Sequence, residues 1–197
     1  MKVVVVTGSV ASGKSTLSRK LAKKFGFEYV DVNKIITDNK LSSGYDEKRK
    51  CKVIDVKRLN RSLISFINKY KKPRINKSIL EKKLKNNKIP IIKNSNNKKT
   101  NKNNLKNKEM KGMVIDSHLS HYLSKKYVDL CIITKCGIKE LNKRLKKRRY
   151  SSDKVKENIE CEIFDVCLDE AKEKGHNVVV ITTTKAINMS EISKRIR

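Results

Sequence analysis

Apolar positions in this chain fall into short runs and helical stripes that alternate along its length. Residues Lys2–Thr7 read KVVVVT, an unbroken apolar run, as expected of a strand buried on both faces of a parallel sheet. Residues 14–25 place Leu17, Leu21, Ala22 and Phe25 on one helical stripe, which Gly26 ends. Tyr29–Val32 predicts a second strand, and Val56, Leu59, Leu63, Ile67 and Tyr70 mark a helix. Met113–Ile115, Val128–Thr134 and Val178–Thr182 predict three further strands, with a helix over Ile138–Leu145. A single longer helix is predicted over 152–174, where Val155, Ile159, Ile163, Val166 and Ala171 recur at three- and four-residue steps up to Lys174-Gly175. Strands alternating with helices predict an α/β fold: a parallel five-stranded sheet with helices on both faces and right-handed crossovers.

At 197 residues the chain is sized for one domain, 1–197, and its charge changes the picture. Lys and Arg number 49 against 20 Asp and Glu, a net charge of +29, which predicts affinity for polyanions, chiefly nucleic acid. Residues 71–111 hold fifteen of those bases and only Glu81 and Glu109 as acids, and are mostly Lys and Asn. The few apolar residues there do not offset an ordering entropy of about 1–2 kcal/mol per residue. The stretch reads as an insertion, with a short helix over 75–86 and disorder over 93–111. It fits either an rRNA-binding arm, electrostatic and indifferent to sequence, or a tolerated loop of biased composition. No apolar run approaches the roughly 18–20 residues that span a bilayer, so a membrane protein is not expected, and the N-terminal apolar run is too short for a signal peptide. Five cysteines without a CxxC pair point to a reducing, cytoplasmic setting.

The strongest chemical signal is Gly8-Ser9-Val10-Ala11-Ser12-Gly13-Lys14-Ser15, a GxxxxGK[ST] phosphate loop between an apolar strand and an amphipathic helix. Small residues let successive backbone N–H groups turn toward a phosphate, and the helix start adds partial positive charge there. Lys14 is expected at the β- and γ-phosphates of ATP, Ser15 on Mg²⁺ and Thr16 near the α-phosphate, with Gly8, Ala11 and Gly13 shaping the cradle. A dinucleotide fingerprint fails because Val10 stands where its second Gly belongs. The loop alone leaves kinase, ATPase and GTPase open. No NKxD guanine signature follows, since Asn142-Lys143-Arg144-Leu145 lacks the Asp. The length fits a small nucleotide or metabolite kinase.

A second cluster, Val114-Ile115-Asp116-Ser117-His118, sits at the carboxyl end of the third strand, where open α/β sheets bind ligands. Asp116 is a candidate for the Mg²⁺ water shell or a helix N-cap. His118 either orients a water or an acceptor phosphate or is a bland surface histidine. The acids Glu157, Glu160, Glu162, Asp165, Asp169 and Glu170 are expected on a solvated helix face. Cys131, Cys136, Cys161 and Cys167 are expected as core or incidental thiols rather than zinc ligands. His121 and His176 receive no role.

The chain resembles the adenylate kinase isoenzyme 6 family, nucleotide kinases and ATPases of small-subunit ribosome maturation. Four blocks carry the resemblance: the phosphate loop; Gly44-Tyr45-Asp46-Glu47 with Cys51 and Ile54-Asp55; Ile115-Asp116-Ser117-His118; and Arg148-Arg149-Tyr150 leading to Asn158-Ile159-Glu160-Cys161-Glu162-Ile163-Phe164. It implies a nucleoside-monophosphate-binding segment over 31–54 and a short lid over 147–157. Arg148 would clamp the ATP phosphates or cover the adenine, and Lys185 would lie against the adenine. The implied catalytic set is Lys14, Asp116, His118 and Arg148, with Ser15 and Asp116 toward Mg²⁺. The implied activity is broad-specificity phosphoryl transfer from ATP to a monophosphate, AMP foremost, with ATP hydrolysis. The implied partners are a platform protein of the small ribosomal subunit and pre-rRNA.

Phosphoryl transfer asks a protein mainly for positioning and cations, which Lys14, Arg144 and Arg148 can supply. Two departures stand out: Arg149 where the family lid commonly has Gly, and Thr37 where the 31–54 segment usually carries Arg. Lys34 and Lys40 are the candidate replacements, Lys34 the better placed. An ATP-gated assembly factor and a kinase of another small acceptor remain as alternatives.

Overall fold

In a computed structural model of the chain, residues 1–47, 49–71, 110–185, 187 and 189–196 are described. The valine run explains the architecture. In β1 (Lys2–Thr7), Val3 and Val5 enter one core and Val4 and Val6 the other, all at most 1% exposed. Side chains of a strand alternate between faces, so a strand apolar at every position demands cover on both.

Five strands form the main sheet: β1, β2 (Glu28–Asp31), β5 (Gly112–Asp116), β6 (Leu130–Lys135) and β7 (Val178–Thr182). Their order is β2-β5-β1-β6-β7, and every neighbouring pair is parallel. The second core beneath Val4 and Val6 takes Leu17 and Leu21 of α1 (Lys14–Phe25) and Ile192 and Ile196 of α7 (Met189–Ile196). The opposite core takes Leu59, Leu63 and Ile67 of α3 (Val56–Lys71) and Ala171 of α6 (Val166–Glu173). The α/β fold with a parallel five-stranded sheet and helices on both faces is therefore the observed one.

Three differences from the sequence reading matter. The predicted helix over 152–174 is two helices, α5 (Ser152–Ile163) and α6, broken at Phe164-Asp165. Asp165 takes a left-handed φ of 53°. The Lys135 ammonium explains the break, donating to the Glu162 carbonyl at 2.5 Å and to the Asp165 carboxylate. Three- and four-residue steps continue through the corner, so periodicity alone could not reveal it. Val32, expected in the second strand, instead starts α2 (Val32–Asp38), capped by the Asp31 carboxylate accepting from Asn33 N at 2.9 Å. An antiparallel hairpin, β3 (Ser42–Asp46) and β4 (Cys51–Ile54), follows it. The proposed helix at 75–86 and the stretch 93–109 lie outside the described residues. Of the supposed insertion, Lys71 ends α3, Met110 packs on the first core and the Lys111 carbonyl accepts from Lys2 N at 3.1 Å.

A smaller third core ties α4 (Ile138–Lys147) and α5 to the loop after β1. Leu141, Leu145, Cys136 and Ala11 meet Val10, Tyr150, Val155 and Ile159 there.

Candidate nucleotide site

The loop 8–15 leaves the carboxyl end of β1, the strand flanked by β5 on one side and β6 on the other. That is the point where strand order reverses and open sheets bind ligands. Two glycines are structural necessities there. Gly8 has φ 138°, and a Cβ would stand 2.5 Å from the Thr134 carbonyl oxygen; Gly13 has φ 93°, with a Cβ 3.0 Å from Thr183 Oγ1. Ala11 also takes a left-handed φ of 67°. Thr134 and Thr183, from the ends of β6 and β7, fix the loop: Ser12 and Thr134 share a hydroxyl hydrogen bond of 2.5 Å, and Thr183 Oγ1 donates to the Ser12 carbonyl at 2.6 Å.

From behind, α5 holds the same loop. The Glu162 carboxylate, only 4% exposed as a residue, accepts from Ser9 Oγ and from Cys136 N at 2.6 Å, with Lys135 Nζ 3.7 Å away. Asn158 Oδ1 accepts from Val10 N at 3.2 Å. Contrary to the expectation from sequence, Glu162 does not belong to a solvated face; it is buried with three donors around it. Glu170 departs from that reading too, since it accepts from Tyr122 OH at 2.7 Å and pairs with His121 Nε2 at 2.8 Å.

Lys14 Nζ donates to the carbonyls of Gly8 at 3.0 Å and Ser9 at 2.7 Å, inside its own loop. Enclosure lowers its pKa to about 8, against the pull of the Asp116 carboxylate. Asp116 ends β5 and is buried, accepting from Tyr29 OH at 2.8 Å. It caps no helix; the single-turn helix at Ser120–Tyr122 is preceded by Leu119. His118, exposed as a residue, stands at the mouth of the cleft and lines it. Desolvation within the cleft and then the Lys14 ammonium keep its pKa below the usual imidazole range, so the ring is neutral at pH 7.

These groups line one open cleft of about 920 Å³. Ala11, Gly13, Lys14, Ser15 and Thr16 form its floor, with Asp116, Ser117 and His118 beside them. Arg144, Lys147 and Arg148 reach it from the end of α4, and Lys185 from the segment after β7. Lys20, Lys154, Asn33 and Tyr150 also line it. Among the described residues, seven of the lining side chains are basic and one, Asp116, is acidic. Such a field selects a ligand carrying several negative charges.

Of the residues assigned from sequence to catalysis, nucleotide or metal, all but Gly8 line this cleft; Gly8 sits behind it as the first loop hinge. Lys34 and Lys40, the proposed substitutes at Thr37, do not line it, whereas Asn33 and Lys20 do. Thr37 itself bonds within α2, its hydroxyl donating to the Asn33 carbonyl at 3.0 Å. Arg149 takes a left-handed φ of 56°, a backbone conformation that favours Gly. Arg144 is partly committed, donating to Glu140 at 2.8 Å and to the Thr183 carbonyl at 3.0 Å. His121, given no role, is buried between Thr7 Oγ1 and Glu170, each at 2.8 Å. Its partners lie 114 and 49 residues away, so no local signal announces them.

Comparison with known proteins bears on this geometry. The family AAA_18, an AAA domain, matches residues 4–165. The adenylate kinase isoenzyme 6 homolog of Caenorhabditis elegans is 29% identical over 90% of this chain and 76% of its own length. A Thermococcus kodakarensis protein named "Putative adenylate kinase" is 31% identical over 92% of this chain and 76% of its own. The chain belongs to the adenylate kinase isoenzyme 6 family. The match spans the phosphate loop, the 31–54 segment, Asp116-Ser117-His118 and the whole of α5. Among solved structures, a shikimate kinase from Acinetobacter baumannii is 10% identical with a TM-score of 0.46, covering 100% of this chain and 90% of that one.

Proposed function

We propose that this chain is an ATP-dependent nucleoside-monophosphate kinase that also hydrolyses ATP. The observation that carries the reading is the cleft itself: a glycine-hinged loop at a helix start, ringed by seven basic side chains and a single carboxylate. The phosphate chain of ATP fits that ring, the loop amides and Lys14 gripping its β- and γ-phosphates. Arg148 and Lys147, projecting from the lid side, sit where they can neutralise charge spreading during transfer. Arg148 would either clamp those phosphates or cover the base, and Lys185 would lie against the adenine.

The donors toward a metal are Ser15 and Asp116, a hydroxyl and a carboxylate. Hard oxygens in that small number suit Mg²⁺, which keeps most of its waters and binds phosphate besides. When bound, Mg²⁺ supplies charge neutralisation between the phosphates. Tyr29, donating to Asp116 at 2.8 Å, would hold that carboxylate in orientation. The 31–54 segment would seat the acceptor, with Asn33 and Lys20 on the cleft wall as its polar contacts. A monophosphate is already an anionic nucleophile, so transfer needs no strong base.

Hydrolysis asks for an oriented water. A neutral His118 beside Asp116, both at the cleft, supports that second activity. Incubating the purified chain with ATP and Mg²⁺, with and without AMP, separates the two. ADP formed at twice the rate of AMP loss supports transfer, and slower ADP formation without AMP supports hydrolysis. No ADP in either arm would sink the proposal, and phosphorylation of a metabolite but no monophosphate would turn it toward another acceptor.

The ribosomal role rests on the family resemblance, with the net charge of +29 in support. We place the chain in the cytoplasm, with pre-rRNA and a small-subunit platform protein as partners. The test is co-sedimentation with pre-ribosomal particles in the presence of ATP; absence from them would remove that part.

A further inference from the structure

Behind the phosphate loop, away from the cleft, two thiols face each other across the α5–α6 corner. Cys161 lies in the last turn of α5 and Cys167 in the first turn of α6, with their Sγ atoms 3.9 Å apart. Both are partly accessible, and both line a small crevice whose other walls include Gly8, Ser9 and Glu162. We propose that Cys161 and Cys167 form a peroxide-oxidisable dithiol whose disulfide loosens the phosphate loop.

The chemistry favours Cys161 as the attacking sulfur. Either sulfur can donate in the hydrogen bond they share; with Cys167 as the donor, the Cys161 pKa is lowered to about 7 and that of Cys167 is raised. The Lys14 ammonium adds to the lowering; burial and the Glu162 and Glu170 carboxylates oppose it. By contrast, burial pushes Cys131 up to about 12, and Cys136 is also raised, so neither is reactive at neutral pH. The Cys161 thiolate attacks one oxygen of hydrogen peroxide, the O–O bond breaks, and hydroxide departs to leave a sulfenic acid. Cys167 sulfur then attacks Cys161 sulfur; the S–S bond forms, the S–O bond breaks, and water leaves with the Cys167 proton. Two thiols are oxidised by two electrons and one peroxide becomes two waters.

Closing 3.9 Å to a disulfide of about 2.05 Å brings the sulfurs together by roughly 2 Å, a displacement shared between side-chain rotation and the corner itself. That movement falls on residues that hold the loop. Glu162, next to Cys161, accepts from Ser9 Oγ, and Asn158, one turn earlier, accepts from Val10 N. Shifting either takes a partner from the loop, a side-chain hydroxyl in one case and a backbone N–H in the other. In a reducing compartment such a bond is transient, as expected of a regulatory rather than structural disulfide.

The consequence for nucleotide rests on the phosphate-site reading, so the test includes a readout independent of it. The full chain is treated with hydrogen peroxide, its remaining thiols are blocked, and it is digested with trypsin. Cys161 and Cys167 share the tryptic peptide 157–172, which contains no internal Lys or Arg. We expect that peptide to lose two hydrogens, amide exchange over residues 9–14 to accelerate, and affinity for ATP to fall on the order of 10–10²-fold. Dithiothreitol should reverse all three, and Cys167→Ser and Cys161→Ser should each abolish them while keeping the activity of the reduced chain. An unchanged peptide, unchanged loop exchange in the disulfide form, or loop loosening by peroxide in Cys167→Ser would each overturn the proposal. A reduced chain that binds no ATP would instead overturn the nucleotide reading, leaving the peptide mass and loop exchange to judge the dithiol.

Discussion

Lys14 pairs a folding cost with a binding gain. Its pKa of about 8 lies below the 10.5 of an unburied lysine, so across that interval the unfolded chain binds more protons than the folded one. Stability therefore rises with pH through this window as far as Lys14 is concerned, and at pH 7 the enclosed charge is unfavourable. We expect Lys14→Met to leave the melting temperature of the free protein unchanged or higher at pH 7, while reducing phosphoryl transfer by on the order of 10² or more. In the unsubstituted chain, affinity for ATP should decline as pH rises through about 8, measured by titration of a fluorescent analogue. A second residue-scale expectation concerns Glu162. Glu162→Ala leaves Cys136 N and Ser9 Oγ without their acceptor, costing about 1–3 kcal/mol in denaturant unfolding and weakening ATP binding with it. Glu162→Gln retains one acceptor oxygen and should fall between the two.

Among elements, the sequence located those whose apolar pattern is local. The runs Lys2–Thr7 and Val178–Thr182 and the stripe of α1 match the observed bounds, because backbone pairing and face burial follow directly from side-chain order. The α5–α6 corner was invisible because Lys135, which holds it, comes from β6, 30 residues earlier than Asp165. The hairpin β3–β4 was equally unannounced, with exposed Tyr45 and Val53 and little to bury. Stability should track these differences. Leu63→Ala, in the fully buried stripe of α3, should cost about 2–5 kcal/mol in equilibrium unfolding. Arg49 joins the hairpin to α5 through an exposed pair with Glu157 at 3.0 Å, and Arg49→Ala should change stability by no more than about 0.5 kcal/mol.

At the scale of the whole molecule, charge is the dominant fact. With +29 overall, the protein should bind single-stranded RNA through phosphates and with little regard to sequence. Neutralising even six of them predicts a loss of about 10³ in affinity between 50 and 200 mM salt, measurable by filter binding. Removing residues 72–109, which carry much of the excess, should flatten that slope and leave phosphoryl transfer intact. Unchanged RNA affinity in the shortened chain would defeat the arm reading. No helix among the described residues is long and apolar enough to cross a membrane.

The order of side chains alone determined the α/β class, the phosphate loop and the acid at the end of the third strand, since each is written in contiguous residues with a fixed spacing. Only the tertiary structure decided what stands behind and around that loop. Glu162 looked like one more solvated acid until burial placed it against Ser9 and Cys136, and His121 looked idle until Thr7 and Glu170 closed on it. Lys34 looked suited to the cleft, but it is Lys20 and Asn33 that line it. Whether a polar group is solvated or held depends on which distant segment packs over it, and no local pattern encodes that choice.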